Sequence, residues 1–561
     1  MCGIFFSESN LLNSSQISLI GEYLNHRGPD AQGIFKNSEI GITAIHSRLA
    51  IQDLDSRSNQ PFFSSDGSAF IIYNGEIFNK SELSRQLIGR VNLRTTSDTE
   101  VLIEMIRLYG IDSTLLKIKG MFSFVFVDLK ANRILAARDR FGIKPLYFSL
   151  HNLYGMIFVS EIEALRPLTS LTVNHSILRD FVYFGLLDHS DETFYENVFR
   201  VPAGGIVEKH EGQWIHRMWQ DESSNQVSEK IDYTDYIEKL DIALKKEVNS
   251  STISDCSIGL NLSSGVDSQL IYRYLAPMHT QLQLHTVSWT DSEYSELNLV
   301  RSSIRPDDQL NEHIFSAAQV WNLVESSFNV HNEPFTSPFV AVWNEVYRRI
   351  HNTGVKVVLD GSGADELFFG YSKYQNWQRQ EFWRLNIDGS SNNLSLKPKY
   401  QYSSKSLLES NTLDIKYLKL PRSLRFIDKA SMFNSVETRV PFLSSEIFSI
   451  ARSAPIDWHI DSQNTKKTLR ECLRRNSGLK PFAPKWNTQI PLHDWMRTSW
   501  HDSLTNLFSD ATGPSLCAIW QYEIKPLLNA VEEFKARRTT DKNLIWRMAI
   551  ASLWIRSQSS R

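Results

Sequence analysis

The sequence predicts an α+β N-terminal domain built on antiparallel sheet, followed by an α/β domain with a parallel sheet and a largely helical C-terminal part. Three observations lead to this reading. Short runs rich in β-branched and aromatic residues alternate with Gly, Asn and Asp turns in the first part of the chain. A polar stretch around Glu208 to Lys230, including Asp221-Glu222-Ser223-Ser224-Asn225-Gln226, has few core-forming residues and reads as a linker. Beyond it, short apolar runs are separated by helical segments long enough for crossover connections. At 561 residues the chain exceeds a single core, and roughly 100 to 200 residues per domain predicts two or three. The expected division is residues 2–211, a linker at 212–230, and residues 231–561.

In the first domain the expected strands are Ala69 to Tyr73, Met121 to Asp128, Arg133 to Ala137 and Met156 to Ser160. Asp98 to Leu108 reads as a helix, because an acidic first turn leads into the apolar positions Val101, Ile103, Met105 and Leu108. In the second domain Tyr233, Ile237, Leu240, Leu244 and Val248 recur at helical spacing. Ser257 to Leu262 then reads as a buried strand ending in a Gly/Ser turn, and His285 to Trp289 and Val355 to Leu359 add further strands, with helices expected on both sheet faces. After Phe382 the pattern is mostly helical, interrupted by polar stretches such as Ser390 to Ser403, and no internal repeat is present.

Composition excludes several function classes. Hydrophobic residues make up 42%, charged 22% and aromatic 11%, which rules out a mostly disordered chain. Sixty Lys+Arg against 63 Asp+Glu leave a formal charge of -3, so no basic field argues for nucleic acid or an anionic membrane, and small molecules are the expected partners. The four cysteines, at 2, 256, 472 and 517, are too few and scattered for a disulfide framework or a CxxC metal cluster, which points to a reducing, cytoplasmic setting. Met1 to Phe6 carries no basic segment before a long apolar run, and no stretch of about 18 apolar residues is present to span a bilayer.

Cys2 follows the initiator, so removal of Met1 would place a thiol and a free α-amine on one residue. An amine with a pKa near ~8 can take the thiol proton at neutral pH, giving an activated nucleophile without a separate histidine. Cys2-Gly3-Ile4 is followed by His26-Arg27-Gly28-Pro29-Asp30, Tyr73-Asn74-Gly75-Glu76-Ile77 and Thr96-Ser97-Asp98-Thr99-Glu100. Taken together these resemble the class II glutamine amidotransferases. The resemblance implies an Ntn-hydrolase αββα sandwich that releases ammonia from glutamine through a cysteinyl thioester. It further implies Cys2 as nucleophile and base, with the Asn74 side chain and the Gly75 N–H as oxyanion hole. Arg48 would clamp the glutamine α-carboxylate, with Asn74, Glu76 and Asp98 completing the glutamine pocket on the α-ammonium side. Read singly, Arg48 is equally a surface ion pair, Asn74-Gly75 a hairpin turn and Asp98 a helix cap.

In the second domain Leu262-Ser263-Ser264-Gly265-Val266-Asp267-Ser268 follows an expected strand and opens an expected helix, so N–H groups, hydroxyls and a helix N-terminus converge. It lacks the spacing and lysine of a Walker A loop. It resembles the SGGxDS pyrophosphate loop of ATP pyrophosphatases, with Ser264 where glycine is usual. Leu359-Asp360-Gly361-Ser362-Gly363-Ala364-Asp365-Glu366-Leu367 matches a second nucleotide and metal loop of that family. ATP is thereby implied at Leu262, Ser263, Ser264, Gly265, Asp267, Ser268, Asp360 and Gly361, and Mg²⁺ at Asp267 and Asp365, whose hard oxygens suit that ion.

Asp428-Lys429-Ala430-Ser431-Met432 and Ser435-Val436-Glu437-Thr438-Arg439-Val440-Pro441-Phe442-Leu443 are similar to signatures of the glutamine-hydrolysing asparagine synthase family. Lys466, in Lys466-Lys467-Thr468-Leu469-Arg470, matches a lysine that acts electrostatically on the phosphates, although spacing alone separates it from Lys467. The family adenylates aspartate and passes ammonia through an interdomain tunnel to displace AMP. Its members are often dimers, and nothing in these residues identifies an interface. Two departures stand out. Gly361-Ser362-Gly363 lacks the family's glutamate, which helps deprotonate the attacking amine, and Lys485-Trp486-Asn487-Thr488-Gln489-Ile490-Pro491-Leu492 alters the site's rim. These leave open another acceptor carboxylate, such as a surface sugar acid or a secondary-metabolite precursor, a β-lactam-synthetase-like cyclase, or a non-catalytic partner.

Overall fold

The computed structural model describes residues 2–210, 212–219, 231–291, 294–375, 383–384, 403–404, 406–477, 490–511, 524–538 and 541–559. Two six-stranded antiparallel sheets lie face to face in the N-terminal part. The first runs, in spatial order, Phe199–Arg200, Tyr147–His151, Gly155–Val159, Cys2–Ser7, Ile42–Arg48 and Ala31–Asn37. The second runs Gln213–Met218, Gly205–His210, Arg133–Arg138, Gly120–Asp128, Ala69–Ile77 and Phe62–Phe63. Side chains alternate across each strand. Ile4, Phe6, Phe70, Ile72, Val125 and Val127 fill the space between the sheets.

The opposite faces are covered by helices. Phe5 packs outward onto Ile20 and Leu24 of helix Ser14–Asn25, which begins at an Asn13/Gln16 capping box. Ile71 and Tyr73 pack outward onto helix Asp98–Tyr109, capped by Ser97 and ended at Gly110. The result is the expected αββα sandwich. Strand Gln213–Met218 pairs with Gly205–His210 and carries the sheet past residue 211. Of the linker expected at 212–230, residues 213–218 form this strand and 220–230 lie outside the described residues, as do Cys517 and most of the Ser390 to Ser403 stretch.

The C-terminal part holds a five-stranded parallel sheet in the order Gln309–Phe315, Gln283–Trp289, Ile258–Asn261, Val357–Leu359, Glu437–Arg439. From Ile258–Asn261 the chain winds one way to Gln283–Trp289 and later the other way to Val357–Leu359. The strand order therefore reverses between Ile258–Asn261 and Val357–Leu359, and a crevice opens at their carboxyl ends. Both Gly/Ser-rich loops emerge there. No helix among the described residues is long and apolar enough to cross a membrane.

The two parts share buried structure. Helix His175–Phe184 packs on helix Lys542–Ser559, with the Phe194 and Tyr195 rings edge-on to Trp554. Arg425, 4% exposed, forks onto Asp188 with two 2.9 Å bonds and also contacts Glu333. Arg200 adds a 3.3 Å contact to Asp188. Burial disfavours each of these charges, and mutual attraction offsets it, so Arg425 is held above and Asp188 below its ordinary range.

Removing Arg425 would strip Asp188 and Glu333 of the cation they share in a buried site, leaving them only the longer contacts to Arg200 and Lys429. Arg425→Met should destabilise the protein by about 3–5 kcal/mol, read as a lower denaturant midpoint. An unchanged midpoint would show that this seam does not hold the two parts together.

Candidate functional site

The N-terminal constellation converges at one edge of the sandwich. Cys2 starts its strand, cross-strand from Arg48, and Asn74 sits in the facing sheet. The Cys2 N–H donates to Asn74 Oδ1 at 3.0 Å. The amide nitrogen of the same Asn74 side chain is buried and has no partner among the described residues. A buried, unmet donor beside a thiol suits an oxygen that gains negative charge during acyl transfer. A Cβ at Gly75 would come within 2.3 Å of the Met121 carbonyl, so only glycine lets this strand approach its neighbour.

Burial pushes the Cys2 thiol up, although the positive N-terminus and the Leu49 N–H pull it back. His46 cannot serve as its base. Burial pushes that imidazole down to about 3, and its Nε2 already donates to the Tyr73 carbonyl at 3.1 Å. The nitrogen bonded to Asn74 Oδ1 is the one that removal of Met1 would turn into a free α-amine.

The glutamine-pocket residues are placed less uniformly. Asp98 accepts from the Tyr73 hydroxyl at 2.9 Å and the Ile77 N–H at 3.0 Å, and burial raises its carboxyl. Arg48 spends its fork on its own loop, donating to the Asp55 carbonyl at 2.9 Å, Asn59 Oδ1 at 2.8 Å and the Asp53 carbonyl. Glu76 accepts from Gln52 and, at 3.2 Å, from Arg439 of the C-terminal part. Arg439 donates to Glu437 at 2.5 Å. Against the cost of burial, Arg439 holds Glu437 down at about 2, whereas burial and Asp98 push Glu76 well above the usual carboxylate range. One guanidinium thus serves two carboxylates, Glu437 held down and Glu76 pushed up.

The second constellation lies at the switch point of the parallel sheet. Helix Val266–Leu275 starts after Gly265, leaving the N–H groups of Val266, Asp267 and Ser268 without intrahelical acceptors. The preceding loop is held by its own hydroxyls, with the Ser263 N–H donating to Ser268 Oγ at 3.0 Å and the Gly265 N–H to Ser263 Oγ at 3.2 Å. Leu262 gives its N–H to the His285 carbonyl at 2.8 Å and belongs to the sheet. Ser264 does not project its hydroxyl into the loop: its N–H, at 3.1 Å, and its Oγ both donate to Glu296.

Lys466 Nζ lies 2.5 Å from Asp267 and 2.6 Å from Asp365, and its side chain is only 4% exposed. Despite burial, the two carboxylates hold its ammonium above the usual lysine range. Lys467 instead faces Asp461 at 3.2 Å near the surface. Two carboxylates converging on one cation also form the donor set that Mg²⁺ takes together with phosphate oxygens and waters. Asp360 closes the crevice, accepting from Asn261 at 2.9 Å and from Ser362. A Cβ at Gly361 would lie 2.9 Å from the Asp267 Cβ, so this loop packs directly on Asp267.

Several residues escaped sequence reasoning. Glu296 anchors the first loop from a helix start with no motif around it. Gly370 is required because a Cβ there would meet Asp365 Oδ1 at 1.9 Å and Lys466 Cε at 2.1 Å. Arg27 is fully buried and bonds the Cys2 carbonyl at 3.1 Å, Glu161 at 2.6 Å and Asp428 at 2.9 Å. It stands inside His26-Arg27-Gly28-Pro29-Asp30, a motif noted without a role for this guanidinium. The altered rim at residues 485–489 lies outside the described residues.

Comparison with known proteins agrees with this layout. A glutamine amidotransferase domain model matches residues 1–220, and an asparagine synthase model matches residues 239–556. Asparagine synthetase [glutamine-hydrolyzing] 1 of Bacillus subtilis (strain 168) is 24% identical over 99% of this chain and 96% of its own length. Asparagine synthetase [glutamine-hydrolyzing] 2 of Oryza sativa subsp. japonica is 26% identical over 92% and 81%. A putative asparagine synthetase [glutamine-hydrolyzing] 2 of Methanocaldococcus jannaschii is 28% identical over 68% and 78%. A glutamine phosphoribosylpyrophosphate amidotransferase structure from B. subtilis covers 56% of this chain and 81% of its own at 15% identity and a TM-score of 0.30, too loose a likeness to add weight. With one model spanning more than half of its length and a glutamine amidotransferase domain ahead of it, the chain belongs to the asparagine synthase family, as a carbon–nitrogen ligase of the glutamine-dependent type.

Proposed function

We propose that the protein hydrolyses glutamine at Cys2 and delivers the ammonia to a carboxylate activated with ATP at the switch-point crevice. The observation that carries this reading is the pairing of two complementary sites in one chain. A thiol beside an unmet amide donor lies in one part, and a helix N-terminus with two carboxylates and a buried ammonium lies in the other. The proposal keeps the division of labour between residues 2–211 and 231–561, with strand Gln213–Met218 on the glutaminase side.

In this reading Cys2 Sγ attacks the glutamine amide carbon, and the Asn74 amide and Gly75 N–H steady the oxyanion. Arg48 and Asp98 shape the pocket for the α-carboxylate and α-ammonium, with Arg48 turning from its own loop carbonyls. At the second site the N-terminal turn of helix Val266–Leu275 receives phosphate oxygens. Lys466 sits where charge accumulates as pyrophosphate departs. Asp267 and Asp365 would hold Mg²⁺, which when bound would neutralise phosphate charge. The family supplies the full reaction: ATP, aspartate, glutamine and water yielding AMP, diphosphate, asparagine and glutamate. A second acceptor is favoured by one observation, Ser362 in place of the family's glutamate, which alters the group facing the acceptor.

Three experiments test this reading. Cys2→Ala should lower glutamine hydrolysis by at least about 10³-fold while ammonium still supports amide formation; loss of both activities would show that the two sites do not divide as proposed. Asp267→Ala and Lys466→Met should each lower acid-dependent pyrophosphate release by about 10²-fold or more and leave glutamine hydrolysis intact. The acceptor is settled by measuring pyrophosphate, AMP and amide with ATP, Mg²⁺ and aspartate, glutamate, glucuronate or galacturonate. Robust asparagine formation removes the second reading, and no pyrophosphate with any acid removes the synthetase reading.

A further inference from the structure

Forming an amide from ammonia and an activated carboxyl requires the nitrogen to lose a proton, so the crevice needs an acceptor for it. Its carboxylates differ in what already holds them. Asp267 and Asp365 are both ion-paired to Lys466. Glu296 is committed to Ser264. Glu366 is 2% exposed and accepts from the Tyr371 hydroxyl at 2.6 Å, closed off behind its loop. Asp360 pairs with no cation among the described residues. It stands at the carboxyl end of the central strand Val357–Leu359, and its bonds come from neutral donors. The Ser362 N–H reaches its Oδ1 at 2.9 Å, the Ser362 hydroxyl the same oxygen at 2.6 Å, and Asn261 Nδ2 its Oδ2 at 2.9 Å.

Two further features face this carboxylate toward chemistry. Ser362 is half-buried, so it is not sealed in the interior as Glu366 is. The buried Asn261 Oδ1, on the amide that steadies Asp360, has no partner among the described residues and stands ready to accept an N–H. Tyr347 holds that amide from behind at 3.2 Å.

We propose that Ser362 and Asp360 form the proton-accepting pair for the nitrogen nucleophile, with Asn261 orienting Asp360; this rests on the amidotransferase reading above. As ammonia adds to the activated carbonyl, the C–N bond forms and the C–O bond to phosphorus-bound oxygen breaks, AMP leaving with that electron pair. One nitrogen proton passes to Ser362 Oγ while the Ser362 hydroxyl proton moves to Asp360 Oδ1. The acid thus works through a hydroxyl two residues along the loop.

The test uses the full chain with ATP, Mg²⁺, ammonium and whichever of aspartate, glutamate, glucuronate or galacturonate supports pyrophosphate release. The measured quantity is amide formed per pyrophosphate released. Ser362→Ala and Asp360→Asn should each lower this ratio by about 10²-fold, the acid being returned by hydrolysis instead. Ser362→Thr, which keeps the hydroxyl, should restore it. The pair is overturned if Ser362→Ala and Asp360→Asn keep the wild-type ratio. It is equally overturned if pyrophosphate and amide fall in step, since Asp360 then serves the nucleotide alone. Failure of every acid with the unmodified chain would instead remove the reading on which the pair depends.

Discussion

The architecture depends on one buried guanidinium. Arg27 holds the Cys2 carbonyl in the N-terminal sheet, Glu161 beside it, and Asp428 on helix Leu420–Phe433 of the C-terminal part. A fully buried arginine is tolerated only when its charge is met, and here both carboxylates keep it charged against the cost of burial. The same contacts fix where the thiol-bearing strand lies relative to the second part. The position of the thiol and the joining of the two parts are therefore one problem with one solution.

Around that point the interface is unusually ionic. Asp188, Glu333, Arg425 and Lys429 continue the seam on one side, and Glu76, Glu437 and Arg439 on the other. Buried ion pairs add little net stability compared with apolar packing, but breaking one partner is costly. Such a seam favours a single docking geometry over a strong one, while bulk cohesion comes from the shared apolar packing of Phe181, Phe194 and Trp554. Glu76 carries the consequence into the first site. It sits in the motif expected to hold glutamine, yet burial and Asp98 push its carboxyl up while an arginine of the other part pulls it back.

In the second site, space and charge are settled together. The reversal of strand order opens the crevice, and Gly361 and Gly370 let Asp267, Asp365 and Lys466 pack within bonding distance. The added hydroxyl at Ser264 is absorbed by Glu296, so the departure from glycine leaves the loop's inner face to backbone donors. Ser362, where the resemblance implies a glutamate, donates its hydroxyl to the carboxylate at 360.

Much of this was legible from residue order. Strand texture, helix caps and short Gly/Ser loops depend on neighbours within a few positions, so the antiparallel sheet, the parallel sheet and both loops could be read directly, whereas the αββα sandwich was implied only by the resemblance of the motifs. Cys2, Asn74, Asp267 and Lys466 were visible because motifs hold them at fixed spacing. The partners that give them their properties were not. Arg27 meets Asp428, Glu76 meets Arg439, and Ser264 meets Glu296 across distances in sequence that no local pattern encodes. Likewise nothing in Lys466-Lys467 shows which ammonium is buried until the fold turns one toward two carboxylates. The sequence by itself determined the elements and the reactive groups. Tertiary structure alone decided their charge, their mutual distance and which of two adjacent lysines reaches the crevice, because electrostatics and burial act through space and not along the chain.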